Sequence, residues 1–536
     1  MRGRNGWTDA PLILTFSPRR GEKGWKPSVP AHVSKKSGVL VLPALVLLLS
    51  FFWPAPNAGA WLWSKKEAAP AEQEQAASPE PLAPAFRDLR EGRWSSALEG
   101  FWQFRKDKAA YEEGAAPAEL GMARACLALG LRQAATEYCA DLVRDSMDMD
   151  LSVRALEVLE RFTREEVFDE ETIVEELLYE KDFSALPASL NNFVHYHQAR
   201  MDYRNGHPRW AEHHLDKMEG EDDYFSRGKI LSALWALKQG DANRCRSLLE
   251  GVLQSPGLDR ATGNEARKAL ARVLYEQEDF AGAYRIYREI EAPETLLADV
   301  ILEEAWAKFR EEDYRKSMGL LVAFSAPSFR NLFKPEQYLL KALIYMQYCH
   351  YGAARSTLEG FRGRYGETLR RIRSREDLAA DPESARVLKS TPAIARMDAY
   401  LKSLDAEAAT LEKLPLSEPL KQGLARMYAL DKERAERRRE REWEREVESV
   451  KEVLFDAEEQ MNLVQFEAGM NRYEKVRKLY YQEESADGAA PRGKVPPLSS
   501  NAYYRFRGEF WTDELDDYTF FIEDYCKSPG EWETEP

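Results

Sequence analysis

Glu278-Asp279-Phe280, followed by Ala283 and Tyr287, is the phrase on which the fold turns. A helical apolar pattern precedes it at Ala266, Leu270, Val273 and Leu274. Another follows at Ala283, Ile286, Tyr287 and Ile290. Two helical periods separated by a short polar turn predict a helical hairpin. The phrase returns as Gly92-Arg93-Trp94 with Ala97 and Phe101, as Glu312-Asp313-Tyr314 with Ser317 and Leu321, and as Cys349-His350-Tyr351 with Ala354 and Leu358. Looser copies are Gly130 with Ala135, Gly206 with Ala211, and Gly240-Asp241-Ala242 with Cys245. The third position of each phrase falls at 94, 132, 208, 242, 280, 314 and 351, with gaps of 38, 76, 34, 38, 34 and 37. The gap of 76 is twice 38 and predicts one degenerate unit between 140 and 190, with a displaced turn at Lys181-Asp182-Phe183. Pro293 and Pro327 fall just after second helices, where they interrupt no backbone bonding.

The phrases resemble the tetratricopeptide repeat, a helix-turn-helix unit of about 34 residues with small residues where its helices approach. The resemblance covers roughly residues 84 to 365 and places the repeats at 86–365. It implies an all-α fold, a TPR-like α-solenoid of helical hairpins. In that family the first helices line a concave groove. Matching those positions marks Tyr196, Arg200, Tyr203 and Arg204 in one unit, Arg227 in the next, then Lys268, Arg272 and Tyr275, then Trp306, Phe309 and Arg310. A basic and aromatic groove suits an extended peptide held by stacking and charge-assisted hydrogen bonds. The same side chains would otherwise pack between helices or face solvent.

Around the repeats, composition narrows the class. The chain has 536 residues, 44% of them apolar, 31% charged and 11% aromatic, enough apolar material for a substantial core. A net charge of −15 argues against a nucleic-acid binder, whose phosphate contacts need clustered excess cations. Residues 39–53 are uncharged and largely apolar, preceded by Lys35 and Lys36 and followed by Ala58-Gly59-Ala60, the layout of a cleavable secretory signal. As a helix the run would cover about 22 Å, short of a bilayer core of about 30 Å, so no membrane span is expected after cleavage. Initiation near Val33 would leave a signal of ordinary proportions. Residues 1–60 hold eight Lys and Arg against Asp9 and Glu22, so a chain cut after Ala60 carries −21. Residues 61–85, rich in Ala, Pro, Glu and Gln, read as a flexible linker, with packing expected from Phe86.

Residues 366–485 read as a charged helical region. From Trp443 through Val447, Val450, Leu454, Ala457, Met461, Val464 and Ala468 the apolar positions alternate in steps of four and three, a heptad seam. The seam either packs on its own solenoid or forms a coiled coil with a partner or a second copy. Residues 486–536 hold two aromatic runs, Tyr503 to Trp511 and Tyr518 to Ile522, which predict a small β-hairpin or a compact cap. The wording Gly508-Glu509-Phe510-Trp511-Thr512-Asp513-Glu514-Leu515, with Tyr518 and Cys526, is similar to the C-terminal box of some exported repeat proteins of Gram-negative gliding-motility envelope complexes.

Chemistry is sparse. His195, His197, His207, His213 and His214 cluster in sequence, and paired helices would bring His197 and His213 together, but the spacing fits no conventional metal set. Cys126 and Cys139 lie in facing helices, where they form either a disulfide or two buried thiols, while Cys245, Cys349 and Cys526 show no partner in sequence. No phosphate loop, nucleophile elbow or zinc-protease helix occurs, so neither an enzyme nor a cofactor is expected. The expected function is an exported periplasmic scaffold or adaptor that binds protein partners in a cell-envelope assembly. The alternatives are an envelope enzyme or metal-binding protein using the His-rich repeat, and a coiled-coil structural subunit.

Overall fold

The computed structural model describes residues 80–526, except 147, 166–173, 175–176, 182, 184–185, 292–293, 330–331, 377, 379–383, 386–387, 389–390, 483–507 and 512–513. The expected signal and all but the end of the linker lie outside the described residues. So do Asp182, within the expected displaced turn, and Tyr503 to Arg507 of the first aromatic run. Among the described residues the chain is all-α, with no strand.

Successive helices pair antiparallel: α1 (Ala83–Arg90) with α2 (Trp94–Arg105), α3 (Ala115–Ala128) with α4 (Arg132–Asp145), and α7 (Ala188–Arg204) with α8 (Pro208–Asp216). Between them lie α5 (Met149–Glu165) and the short α6 (Leu177–Glu180), where the degenerate unit was expected. The pairs continue as α9 (Asp223–Lys238) with α10 (Ala242–Leu253), α11 (Arg260–Glu276) with α12 (Phe280–Arg288), α13 (Glu294–Arg310) with α14 (Tyr314–Val322), and α15 (Glu336–Gln347) with α16 (Tyr351–Arg373). Two further helices follow, α17 (Pro392–Leu411) and the 65-residue α18 (Glu418–Gln482). Packing starts at Leu82, ahead of the expected Phe86, because Leu82 and Ala85 already bury with α2. The last second helix runs past Tyr365 to Arg373.

One turn recurs at all seven phrase markers. Gly92, Gly130, Gly206, Gly240, Glu278, Glu312 and Cys349, each two residues before a phrase marker, all have φ between 59° and 84°. The next residue in every case donates its N–H to the carbonyl five residues back, at 2.8–2.9 Å, as in Asp279 to Leu274 and Asp313 to Lys308. That bond and the left-handed residue together satisfy the carbonyls a helix end leaves open. At three turns Asp241, Asp279 and Asp313 also cap the second helix through their side chains. Three residues after each marker come Ala97, Ala135, Ala211, Cys245, Ala283, Ser317 and Ala354, every one fully buried. A small side chain there lets the two helices close, which is why size, and not polarity, is common to the seven.

First helices also touch the first helices of neighbouring pairs, as α7 does α9 and α9 does α11. Burial accumulates in two apolar clusters that meet at α9: Tyr224 and Leu231 belong to one, Ile230 and Ala233 to the other. The long α18 joins both. Leu420, Leu424, Tyr428 and Ala435 enter the cluster built by α1–α9 and α17, while Val450, Leu454, Ala457, Met461 and Val464 enter the one built by α9–α16. The heptad seam therefore packs on the chain's own hairpins, mainly α15 and α16.

The C-terminal segment departs from expectation. Its described residues form no β-hairpin; they run as a strap across the second helices. Arg288 pairs with Asp516 and Asp517, Phe520 donates its N–H to the Arg315 carbonyl at 3.0 Å, and Tyr525 donates to Tyr348 at 3.1 Å. Tyr518 passes so close to α14 that a Cβ on Gly319 would collide with its carbonyl oxygen. Leu515 and Ile522 are buried, Tyr525 stacks on His350 at 4.0 Å, and a disulfide joins Cys526 to Cys349 at the α15–α16 turn. Phe520 and Tyr525 thus direct their N–H groups to the hairpins and not to a second strand.

Candidate partner-binding surfaces

The groove expected from register is largely an interior. Tyr196, Arg200, Tyr203, Tyr275 and Trp306 are buried; Arg204, Arg227, Lys268, Arg272, Phe309 and Arg310 are half-buried. Tyr203 stacks on Trp235 at 4.6 Å, and Trp306 meets Phe309 edge-on. Arg310 lies over Phe280, 4.4 Å from the ring centre. The guanidinium of Arg272 is held by Glu303 through two bonds of 2.9 and 2.6 Å, and Tyr287 donates to the same carboxylate at 2.6 Å. Lys268 adds a contact of 3.7 Å. One pair earlier, Arg227 meets Asp223 at 2.8 Å, and Thr262 donates to Asp223 at 2.6 Å. Lys334 pairs with Asp299.

Of the cations that register aligned, Lys268 and Arg272 are tied to Glu303 on the next pair and Arg227 to Asp223 on its own helix, so these three do not form the open basic groove that was expected. Burial opposes ionisation of Glu303, but Arg272 and Lys268 hold its carboxyl below the usual range. Glu265 and Glu336 are pushed up to about 7 by burial, which Arg227 and Lys334 only partly offset. Nη1 of Arg272 and Nε1 of Trp306 are buried with no hydrogen-bond partner among the described residues. The sequence reading missed Glu303, Asp299 and Lys334; the signal for the first was a carboxylate one helical turn before Trp306.

Nor do the histidines meet as expected. His195 and His214 face each other, Nδ1 to Nδ1 at 3.2 Å, with Gln198 on His195 and Asp202 3.6 Å from His214. His197 is fully buried among Phe193, Tyr196 and Tyr224, away from His213, which packs against Trp210. Among the described residues no three His, Cys, Asp or Glu side chains converge to hold a metal. Cys126 and Cys139 are separate buried thiols, the second pushed up to about 12 by burial. The disulfide is instead Cys349–Cys526, a pairing across 177 residues that sequence did not suggest.

What is open lies on the outer face of α18. Leu463, Phe466, Met470, Tyr473 and Val476 are exposed, Phe466 by 68% and Tyr473 by 62%. Steps of three and four put them on one stripe, opposite the buried Met461, Val464 and Ala468. No helix among the described residues is long and apolar enough to cross a membrane. No family model matches the chain, and no curated protein is similar to it.

Proposed function

We propose that the chain is an exported, TPR-like α-solenoid that acts as a scaffold for protein partners in a cell-envelope assembly. The observation that carries this reading is the sevenfold turn, with its left-handed residue, its five-back hydrogen bond and its fully buried small residue. Repetition of one hairpin multiplies surface without creating a catalytic cleft, and repeat arrays serve chiefly to hold partners. The disulfide between Cys349 and Cys526 supports an oxidising compartment and so an exported chain. The similarity of the 508–515 wording to motility-associated envelope proteins suggests the class of assembly.

The partner surface in this reading is the stripe Leu463, Phe466, Met470 and Tyr473. Contiguous apolar side chains on an outer helix face mark interaction sites, and this spacing fits an apolar helix from a partner. Crosslinking in intact cells followed by mass identification of neighbours tests it. Replacing Leu463, Phe466 and Met470 together with Ser should remove most crosslinked protein from the export compartment while the helical circular dichroism stays unchanged. Recovery of the chain with free Cys349 and Cys526 in the cytoplasm, or crosslinks indifferent to the triple replacement, would overturn the proposal.

A further inference from the structure

Between α14 and the α15–α16 hairpin the packing opens. Most second helices reach the next first helix through a short link, but α14 ends at Val322 and α15 begins only at Glu336. Phe324, Ser325, Phe329 and Leu332 of the intervening segment face the hairpin across a gap. They leave a cavity of about 660 Å³, within the ~300–1,000 Å³ range of small-molecule sites. Phe324, Phe329, Tyr338, Tyr345 and Tyr365 give it an aromatic wall, and Lys341 lines it from the middle of α15. No Asp or Glu is among the described residues that line it. Arg364 also lines it and is engaged with the hydroxyl of Tyr365.

An amine half-buried among aromatic rings with no carboxylate lining the same cavity contrasts with Arg272, Arg227 and Lys334, which are each tied to an acid. Burial alone lowers the pKa of Lys341, and no neighbouring charge restores it. An anion entering the cavity would supply that missing charge, while its apolar body would replace water along the aromatic wall.

We propose that this cavity binds a single-chain amphipathic carboxylate, with the acid head at Lys341 and the chain between Phe324, Phe329 and Tyr338. The site stands independently of the scaffold reading, since it needs neither export nor a protein partner. Titration calorimetry of the full oxidised chain with dodecanoate and with dodecanol tests it. The proposal expects dodecanoate to bind at micromolar concentration, at least tenfold more tightly than the alcohol. Lys341→Met should erase that preference. Ser356→Trp should block both ligands, because Ser356 lines the cavity from an exposed position where a larger side chain disturbs no core. Failure of dodecanoate to bind the unaltered chain would overturn the proposal. Equal affinity for acid and alcohol would do the same, as would unchanged binding in a Ser356→Trp chain that keeps its helical circular dichroism.

Discussion

Two segments outside the hairpins lie across them, α18 and the strap at 508–526, and they are fastened by opposite means. The helix is fastened by apolar side chains spread over its length, from Leu420 to Ala468, with Leu454 fully buried. Polar contacts at its edge, such as Arg362 with Asn462 and Gln465, are exposed. Among its described residues the strap buries Leu515 and Ile522 deeply and is held besides by the N–H groups of Phe520 and Tyr525 on Arg315 and Tyr348, the Arg288 pairs and one covalent link. A long helix satisfies its own backbone, so it can afford an apolar seam. An irregular segment must find partners for every N–H and carbonyl and is drawn to the turns where such groups are open.

The largest effect should come from the seam. Leu454→Asp places an unpaired charge at a fully buried position and should cost about 4 kcal/mol or more, releasing α18 to proteolysis while the α1–α8 helices stay folded. Urea unfolding with limited proteolysis measures both, and a chain that keeps wild-type resistance would remove the seam from the account. Next in size is Cys526→Ser. Opening the 177-residue loop should cost roughly 2–4 kcal/mol and expose the strap, but not α18, to protease. If α18 were released as well, the two fastenings would not be independent. The smallest effect is electrostatic and confined to the helix. Burial, with Glu442 beside it, pushes the Glu446 carboxyl up to about 7. A folded value above the unfolded one, near ~4.3, means that this group's penalty grows as pH rises from about 4 to 7 and is complete above that. Glu446→Gln should therefore stabilise the chain by about 1 kcal/mol at pH 8 and leave it unchanged at pH 4, read from thermal melts at the two pH values.

The turn row was legible in the sequence because everything that defines it is local. A left-handed residue, an aromatic or other marker and a small residue fall within six positions, and counting markers located all seven turns. Half of the α18 contact was legible in the same way, from Trp443 to Ala468. Its earlier half, Leu420, Leu424 and Tyr428, escaped because Asp431 and dense charge interrupt the pattern. Which of the two readings of the groove positions holds was not legible, for a different reason. Register gives the face on which Arg272 sits but not the depth, and its depth is set by Glu303, 31 residues away on the next first helix. The Cys349–Cys526 link could not be read at all, since it depends on where the strap lies once the hairpins are assembled.

Hairpins that touch through successive first helices, as those of α7, α9 and α11 do, can bend by small rotations shared among their joints. The 65 residues of α18 span about 97 Å if straight, and they are attached to both apolar clusters. Such a member works as the brace of a truss. Flexing the hairpins would have to shear one patch of apolar contacts against the other. The exposed side chains from Leu463 to Val476 ride on that brace. A load applied there passes into the helix that both apolar clusters hold.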